Sequence, residues 1–215
     1  MKERSSLRLS INSNQKVRYA REFFENGVYT PERLIYLGNA TYSVDGTGVG
    51  IDSVLAQRVI GGLIHLNRSN TRPIKIIMNT PGGEITDGYA IYDAIRSSRS
   101  PVDIEVFGEA CSMGSIILQS ARYRILHENT LFMIHEGTFK SENVITPRQQ
   151  DSWAAWCKKD NQRMYRIFAE RSCKREKFWE KLCTEKHDVI FDAKKAVKLG
   201  LADDIVKPSE WTKQY

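Results

Sequence analysis

At 215 residues the chain suits one domain, or one domain with an appended arm, and a chain this long buries roughly 70% of its unfolded surface without needing disulfides or metal. Its hydrophobic and charged fractions, 41% and 27%, are those of an ordinary globular protein, and its longest apolar stretch, Val59–Leu66, is too short and glycine-rich to span a bilayer. A net charge of +6 raises nucleic acid as a partner, but the basic residues are scattered, no RNA-recognition or zinc-finger signature surrounds them, and they read as solvated faces.

Residues 1 to about 17 are rich in serine and asparagine and read as a polar arm, with a short helix over Val17–Glu25 before Gly27. Glu32–Gly38 reads as a buried strand closed by glycine. From Asp52 to Leu66, apolar residues at 55, 59, 63 and 66 mark one face of a helix. Pro73–Asn79 is the clearest strand, β-branched and leading into Thr80-Pro-Gly-Gly83; the helix after it carries Ile85, Tyr89, Tyr92 and Ile95 on one face. Val102–Phe107 alternates as a strand does and enters Gly108-Glu-Ala-Cys-Ser-Met-Gly114, with helix expected over Ile116–Leu118. Short strands follow near Tyr123–Leu126 and Thr130–His135. Thr146-Pro-Arg-Gln149 has the cap, the first-turn proline and the capping-box glutamine of a helix start, and Trp153, Trp156, Met164, Ile167 and Phe168 continue a long amphipathic helix. A shorter helix passes through Phe178 and Trp179. Asp192 can cap a last helix, Ala193–Leu199, that stops at Gly200, and Ile205-Val206 closes with a strand. Strands alternating with helices imply parallel strands and an α/β fold.

Ligands in such folds bind beyond the carboxyl ends of strands. Asn79-Thr-Pro-Gly-Gly83 lies there, although Pro-Gly-Gly alone is an ordinary turn. Ala110-Cys-Ser-Met-Gly114 is a relaxed form of the Gly-x-Ser-x-Gly nucleophile elbow; Ser112 would stand between strand and helix with the Met113 N–H at the helix start. The same serine could equally serve only as a helix cap. A serine nucleophile needs a base. Of four histidines, His65 and His127 are expected at the surface, His187 adjoins Asp188, and His135 ends an apolar strand on the same side as the glycine turns. His135 is therefore the best candidate.

These residues carry a family resemblance. Asn79–Gly83, Gly88–Asp93, Ala110–Gly114, Met133–His135 and Asp188 through Ala193–Asp203 resemble the Clp protease proteolytic-subunit family in order and spacing, over roughly residues 31–206. The resemblance implies a crotonase-like single α/β domain of stacked β/α repeats with a protruding helical handle at about 136–171. It places the peptidase domain at 31–209 behind an arm at 1–30. It implies Ser112 as nucleophile, His135 as base and Asp188 as the residue orienting the histidine, with Asp192 and Asp203 as rivals for that place. The oxyanion hole would be the N–H groups of Gly83 and Met113. It further implies hydrolysis of unfolded polypeptides, assembly into heptameric and possibly stacked rings, and service by an AAA+ unfoldase. This chain has no phosphate-binding Gly-x-x-x-x-Gly-Lys-[Ser/Thr] of its own. Residues 136–145 depart from the family's Gln-Pro and glycine-rich strand, holding one glycine, which leaves room for a dedicated maturation peptidase. A non-catalytic ring subunit and an acyl-CoA hydratase or isomerase are the other readings. No metal or cofactor is expected. Cys111, Cys157, Cys173 and Cys183 lack metal-ligand spacing and read as free thiols in a reducing compartment, and the amino terminus lacks the apolar run of a secretory signal, so a cytoplasmic location is expected.

Overall fold

The computed structural model describes residues 12–38, 50–138 and 145–207. The first helix, α1 (Ser13–Asn26), is longer than its apolar pattern suggests, because Asn12 and Gln15 form a reciprocal capping box and Gly27 ends it in the left-handed conformation. Short β1 (Val28–Tyr29) pairs antiparallel with β2 (Leu34–Gly38). Then come α2 (Ser53–Ser69), β3 (Ile74–Thr80), α3 (Ile85–Arg96) and the ten-residue β4 (Val102–Cys111). As its spacing predicts, α2 buries Leu55, Val59, Leu63 and Leu66, with Asp52 capping it.

After β4 the chain forms α4 (Met113–Leu118), β5 (Tyr123–His127) and β6 (Leu131–Ile134), then the 25-residue α5 (Pro147–Arg171) and α6 (Glu176–Glu185). The Thr146–Gln149 capping box at the head of α5 is present. Finally β7 (Val189–Asp192), α7 (Ala193–Leu199) and β8 (Asp204–Val206) close the domain. Strand β7 departs from the sequence expectation: four residues are too few to declare a period, and the antiparallel partner β6 lies far back in the chain.

The sheet runs β1-β2-β3-β4-β5-β8, with β2, β3, β4, β5 and β8 parallel. Its core is built by Leu37, Ile74, Ile76, Met78, Ile104 and Val106 under α2 and α3. One irregularity positions the site. The first part of β4, Asp103–Val106, pairs with β5, whereas Glu109–Cys111 pairs with β6. The change of partner occurs at Gly108, with φ +76°, where the register against β3 also slips. A Cβ there would meet Asn79 Oδ1 at 2.7 Å, and that oxygen accepts from the Glu109 N–H. Glycine is required to let the Asn79 side chain fill the gap in the ladder. Gly108 is thus a bulge within a longer strand, not the start of the turn that the sequence suggests. Its consequence is that β4 and β6 end side by side.

Candidate active site

Ser112 leaves β4 at φ 51° and ψ −122°, a conformation that L residues avoid and that costs about 1–3 kcal/mol. The surroundings enforce it. Its N–H donates to Met133 O at 2.9 Å, and its carbonyl accepts from the Ser115 hydroxyl at 2.6 Å. The side chain makes no cap hydrogen bond to α4, so the reading of Ser112 as a mere helix cap fails. Its Oγ instead stands 2.7 Å from His135 Nε2. Two residues 23 positions apart meet because parallel strands β4 and β6 expose their carboxyl ends on one edge.

Facing this pair is the Pro-Gly-Gly turn. Gly82 has φ +102°, and a Cβ on it would lie 2.5 Å from Ser112 Cβ and 3.1 Å from the Met113 nitrogen. Gly83, at φ +146°, is bridged to Ile51, where a Cβ would meet backbone at 2.3 Å. The N–H groups of Gly83 and Met113 have no acceptor among the described residues, although Ile51 N donates to Gly82 O and Glu84 N to Ile51 O on either side. The sequence singles out Gly83 but not the contact of Gly82 with Ser112, whose only signal is that the turn carries two adjacent glycines.

The acids sort as follows. Asp192 caps α7, accepting from Lys195 N at 2.7 Å. Asp203 binds Arg124, its oxygens 2.8 Å from the Arg124 backbone N, 3.0 Å from Nε and 2.5 Å from Nη2. Both rivals are therefore occupied. Partial burial alone would raise the pKa of Asp203, but the hydrogen bonds and charge of Arg124 outweigh it and hold the carboxyl below its usual value. Asp188 is exposed, just ahead of β7, and among the described residues no hydrogen bond joins it to His135. It borders a shallow groove with Phe178, Lys186, Ile190 and Lys195.

His127 does not lie exposed as the sequence suggests. It stacks on Phe107 with ring centroids 3.8 Å apart, and its Nε2 is 2.7 Å from Glu105 Oε1, a carboxylate also held by Lys75 at 2.8 Å. Its polar neighbours in sequence concealed this, because the contact crosses between strands. His65 touches the Thr30 hydroxyl at 3.3 Å, and His187 is exposed. The four cysteines are free thiols. Cys111, next to Ser112, is a poor nucleophile: burial, then the neighbouring Glu109 carboxylate, push its pKa up to about 12. Among the described residues no His/Cys/Asp/Glu cluster suits a metal ion, and no helix is long and apolar enough to cross a membrane.

A serine hydroxyl on a strained turn, a histidine nitrogen at hydrogen-bond distance and a glycine turn packed against that serine are features a serine hydrolase requires. Comparison narrows the class. The Clp protease family model matches residues 46–209, and the chain belongs to that family. It is a serine endopeptidase of the Clp type. It is 29% identical over 170 residues to the ATP-dependent Clp protease proteolytic subunit of Streptococcus mutans, covering 74% of this chain and 82% of that one. The same figures hold for the subunit of that name from Streptococcus uberis. In three dimensions it is similar to a ClpP1 point mutant from Listeria monocytogenes, with a TM-score of 0.72 at 21% identity, over 84% of this chain and 95% of that one. The α/β architecture is thus the crotonase-like fold.

Proposed function

We propose that the chain cleaves peptide bonds of unfolded polypeptides with Ser112 as nucleophile, His135 as general base and Asp188 as the residue that orients the imidazole. The observation that carries this reading is the 2.7 Å contact between Ser112 Oγ and His135 Nε2 on a backbone strained to present it. His135 Nε2 takes the hydroxyl proton as Oγ attacks the scissile carbonyl. The oxyanion is held by the N–H groups of Gly83 and Met113, each such donor being worth about 10²–10³ in rate. His135 then gives the proton to the leaving amine, and a water activated by the same nitrogen hydrolyses the acyl-enzyme.

The reading extends to a cytoplasmic subunit that forms heptameric rings, possibly stacked, and is served by an AAA+ unfoldase. The names of its streptococcal relatives, which are ATP-dependent proteolytic subunits, support this. In this scheme residues 1–30 are an appended arm, 31–209 the peptidase domain and 136–171 its handle, with α5, at 1.5 Å per residue roughly 37 Å long, as the handle's stem.

Intact-mass labelling with a fluorophosphonate tests the chemistry. One adduct on the native chain, absent from Ser112→Ala, is expected; no adduct on either removes the nucleophile. A second reading, a non-catalytic subunit of a mixed ring, has one observation in its favour: among the described residues no hydrogen bond joins Asp188 to His135. Hydrolysis by the purified chain alone would exclude it.

A further inference from the structure

The glycine turn that packs against Ser112 is held from two sides, and only one of them is backbone. On the outer side Ile51 N donates to Gly82 O at 2.6 Å and Glu84 N donates to Ile51 O at 2.8 Å. On the inner side Pro81 has no N–H to give. The first amide of the turn, that of buried Gly82, donates instead to the Thr80 hydroxyl at 3.2 Å. A hydroxyl that accepts from the amide two residues on closes a turn by side chain where no backbone bond is available. Among the described residues it is the acceptor for that amide.

The sheet places Thr80 for this. It is the last residue of β3, fully buried, and it pairs with Ala110 where the β3–β4 ladder resumes after its register slip. Ala110 lies two residues before Ser112. The two γ branches of Thr80 have different partners. The hydroxyl takes the Gly82 amide, whereas methyl Cγ2 lies 2.6 Å from where a Cβ on Gly114, the second residue of α4, would stand. One side chain therefore touches both the turn and the start of the helix that follows Ser112. Gly82 completes the circuit, because a Cβ on it would meet Ser112 Cβ at 2.5 Å and the Met113 nitrogen at 3.1 Å.

Resting on the peptidase reading, in which the Gly83 and Met113 amides hold the oxyanion, we infer that Thr80 is a positioning residue whose hydroxyl, through the Gly82 amide, fixes the turn against Ser112 and so sets the Gly83 donor. A displaced donor is felt where charge develops, in the transition state, more than in binding. The test is the rate at which a fluorophosphonate modifies Ser112, followed by intact mass on the native chain, Thr80→Val and Thr80→Ser. In this reaction the Oγ–P bond forms, the P–F bond breaks, fluoride leaves and His135 takes the serine proton. Valine keeps the branched shape and deletes the acceptor; serine keeps the acceptor and deletes the methyl. Thr80→Val should lower the limiting rate by about tenfold or more, with the half-saturating probe concentration within about twofold of native. Thr80→Ser should stay within about threefold of the native limiting rate. Thermal melts establish that each variant is folded, and Thr80→Ala replaces valine, with the same expectation, if valine is not. A native limiting rate in folded Thr80→Val, or a serine variant as slow as valine, would overturn the assignment and leave the peptidase intact. Failure of both Thr80→Val and Thr80→Ala to fold would make Thr80 a structural residue and overturn it equally. If the probe does not modify the native chain, the peptidase reading falls, and this inference falls with it.

Discussion

His135 and Asp188 stand one step beyond the last pair of the β6–β7 ladder, Ile134 opposite Val189, yet no hydrogen bond links their side chains. The antiparallel register brings the two backbones opposite one another, and the Asp188 side chain is exposed. Catalytic hydrogen bonds are commonly loose before substrate binds.

Asp188→Asn should therefore lower kcat by about 10⁴-fold in the active assembly, the loss expected when the group that sets the histidine tautomer is removed. The melting temperature should hold, because Asp188 makes no structural bond among the described residues. Asp192→Ala and Asp203→Asn should do the reverse, since one removes the cap of α7 and the other weakens the hold on Arg124. Kinetics and melting curves on the three variants decide it; a kcat collapse in Asp203→Asn with none in Asp188→Asn would transfer the role.

Removal of the Ser112 hydroxyl should have a larger effect. Ser112→Ala should reduce peptide hydrolysis by about 10⁶-fold, as for other serine peptidases stripped of the attacking oxygen. The assay is cleavage of a fluorogenic peptide at saturating substrate, and residual turnover within tenfold of the native rate would exclude Ser112.

Gly82 offers a purely geometric prediction. Alanine there places a methyl group 2.5 Å from Ser112 Cβ and 2.8 Å from Cys111 O, on a backbone at φ +102°. The elbow must shift, and displacements near 1 Å cost on the order of 10² in rate. Gly61→Ala makes the contrast. It is an exposed position of α2 with nothing within 4 Å of the new methyl, so it should raise stability by about 0.5–1 kcal/mol without touching kcat.

The Arg124–Asp203 pair predicts a pH dependence. Arg124 is buried, also donating to Gln119 Oε1 at 2.6 Å and to the carbonyls of Arg171 and Gly200. Because the folded pKa of Asp203 is depressed, its contribution is complete above the unfolded value near 3.9 and is lost as pH falls through the lower folded value. Denaturant unfolding between pH 2 and 7 should show native stability falling below about pH 4. Asp203→Ala should lower the plateau by about 3 kcal/mol, by stranding the guanidinium, and flatten that acid limb. An unchanged limb in the variant would assign it to other carboxylates.

Much of the fold is legible along the chain because its signals are local. The four-residue rhythm of Leu55, Val59 and Leu63 needs only neighbouring turns of one helix, and the caps at Thr146 and Asp192 act on amides three residues away. The candidate nucleophile and base are legible for a related reason, since each closes a strand whose β-branched or apolar run announces it. The features that local pattern does not show depend on contacts remote in sequence: β7 depends on β6, and His127 is withdrawn from solvent by Phe107 and Glu105.

Adjacent residues are enough to say which segments can be helix, strand and turn, and that a serine and a histidine stand at strand ends. That the two meet follows from packing. Strand β4 changes partner at Gly108 and so ends beside β6, Ser112 is forced to positive φ by bonds to Met133 and Ser115, and Gly82 fits against it for want of a Cβ. Contacts between residues tens of positions apart depend on strand order and on the space left after packing, and neither is encoded in any window of adjacent residues.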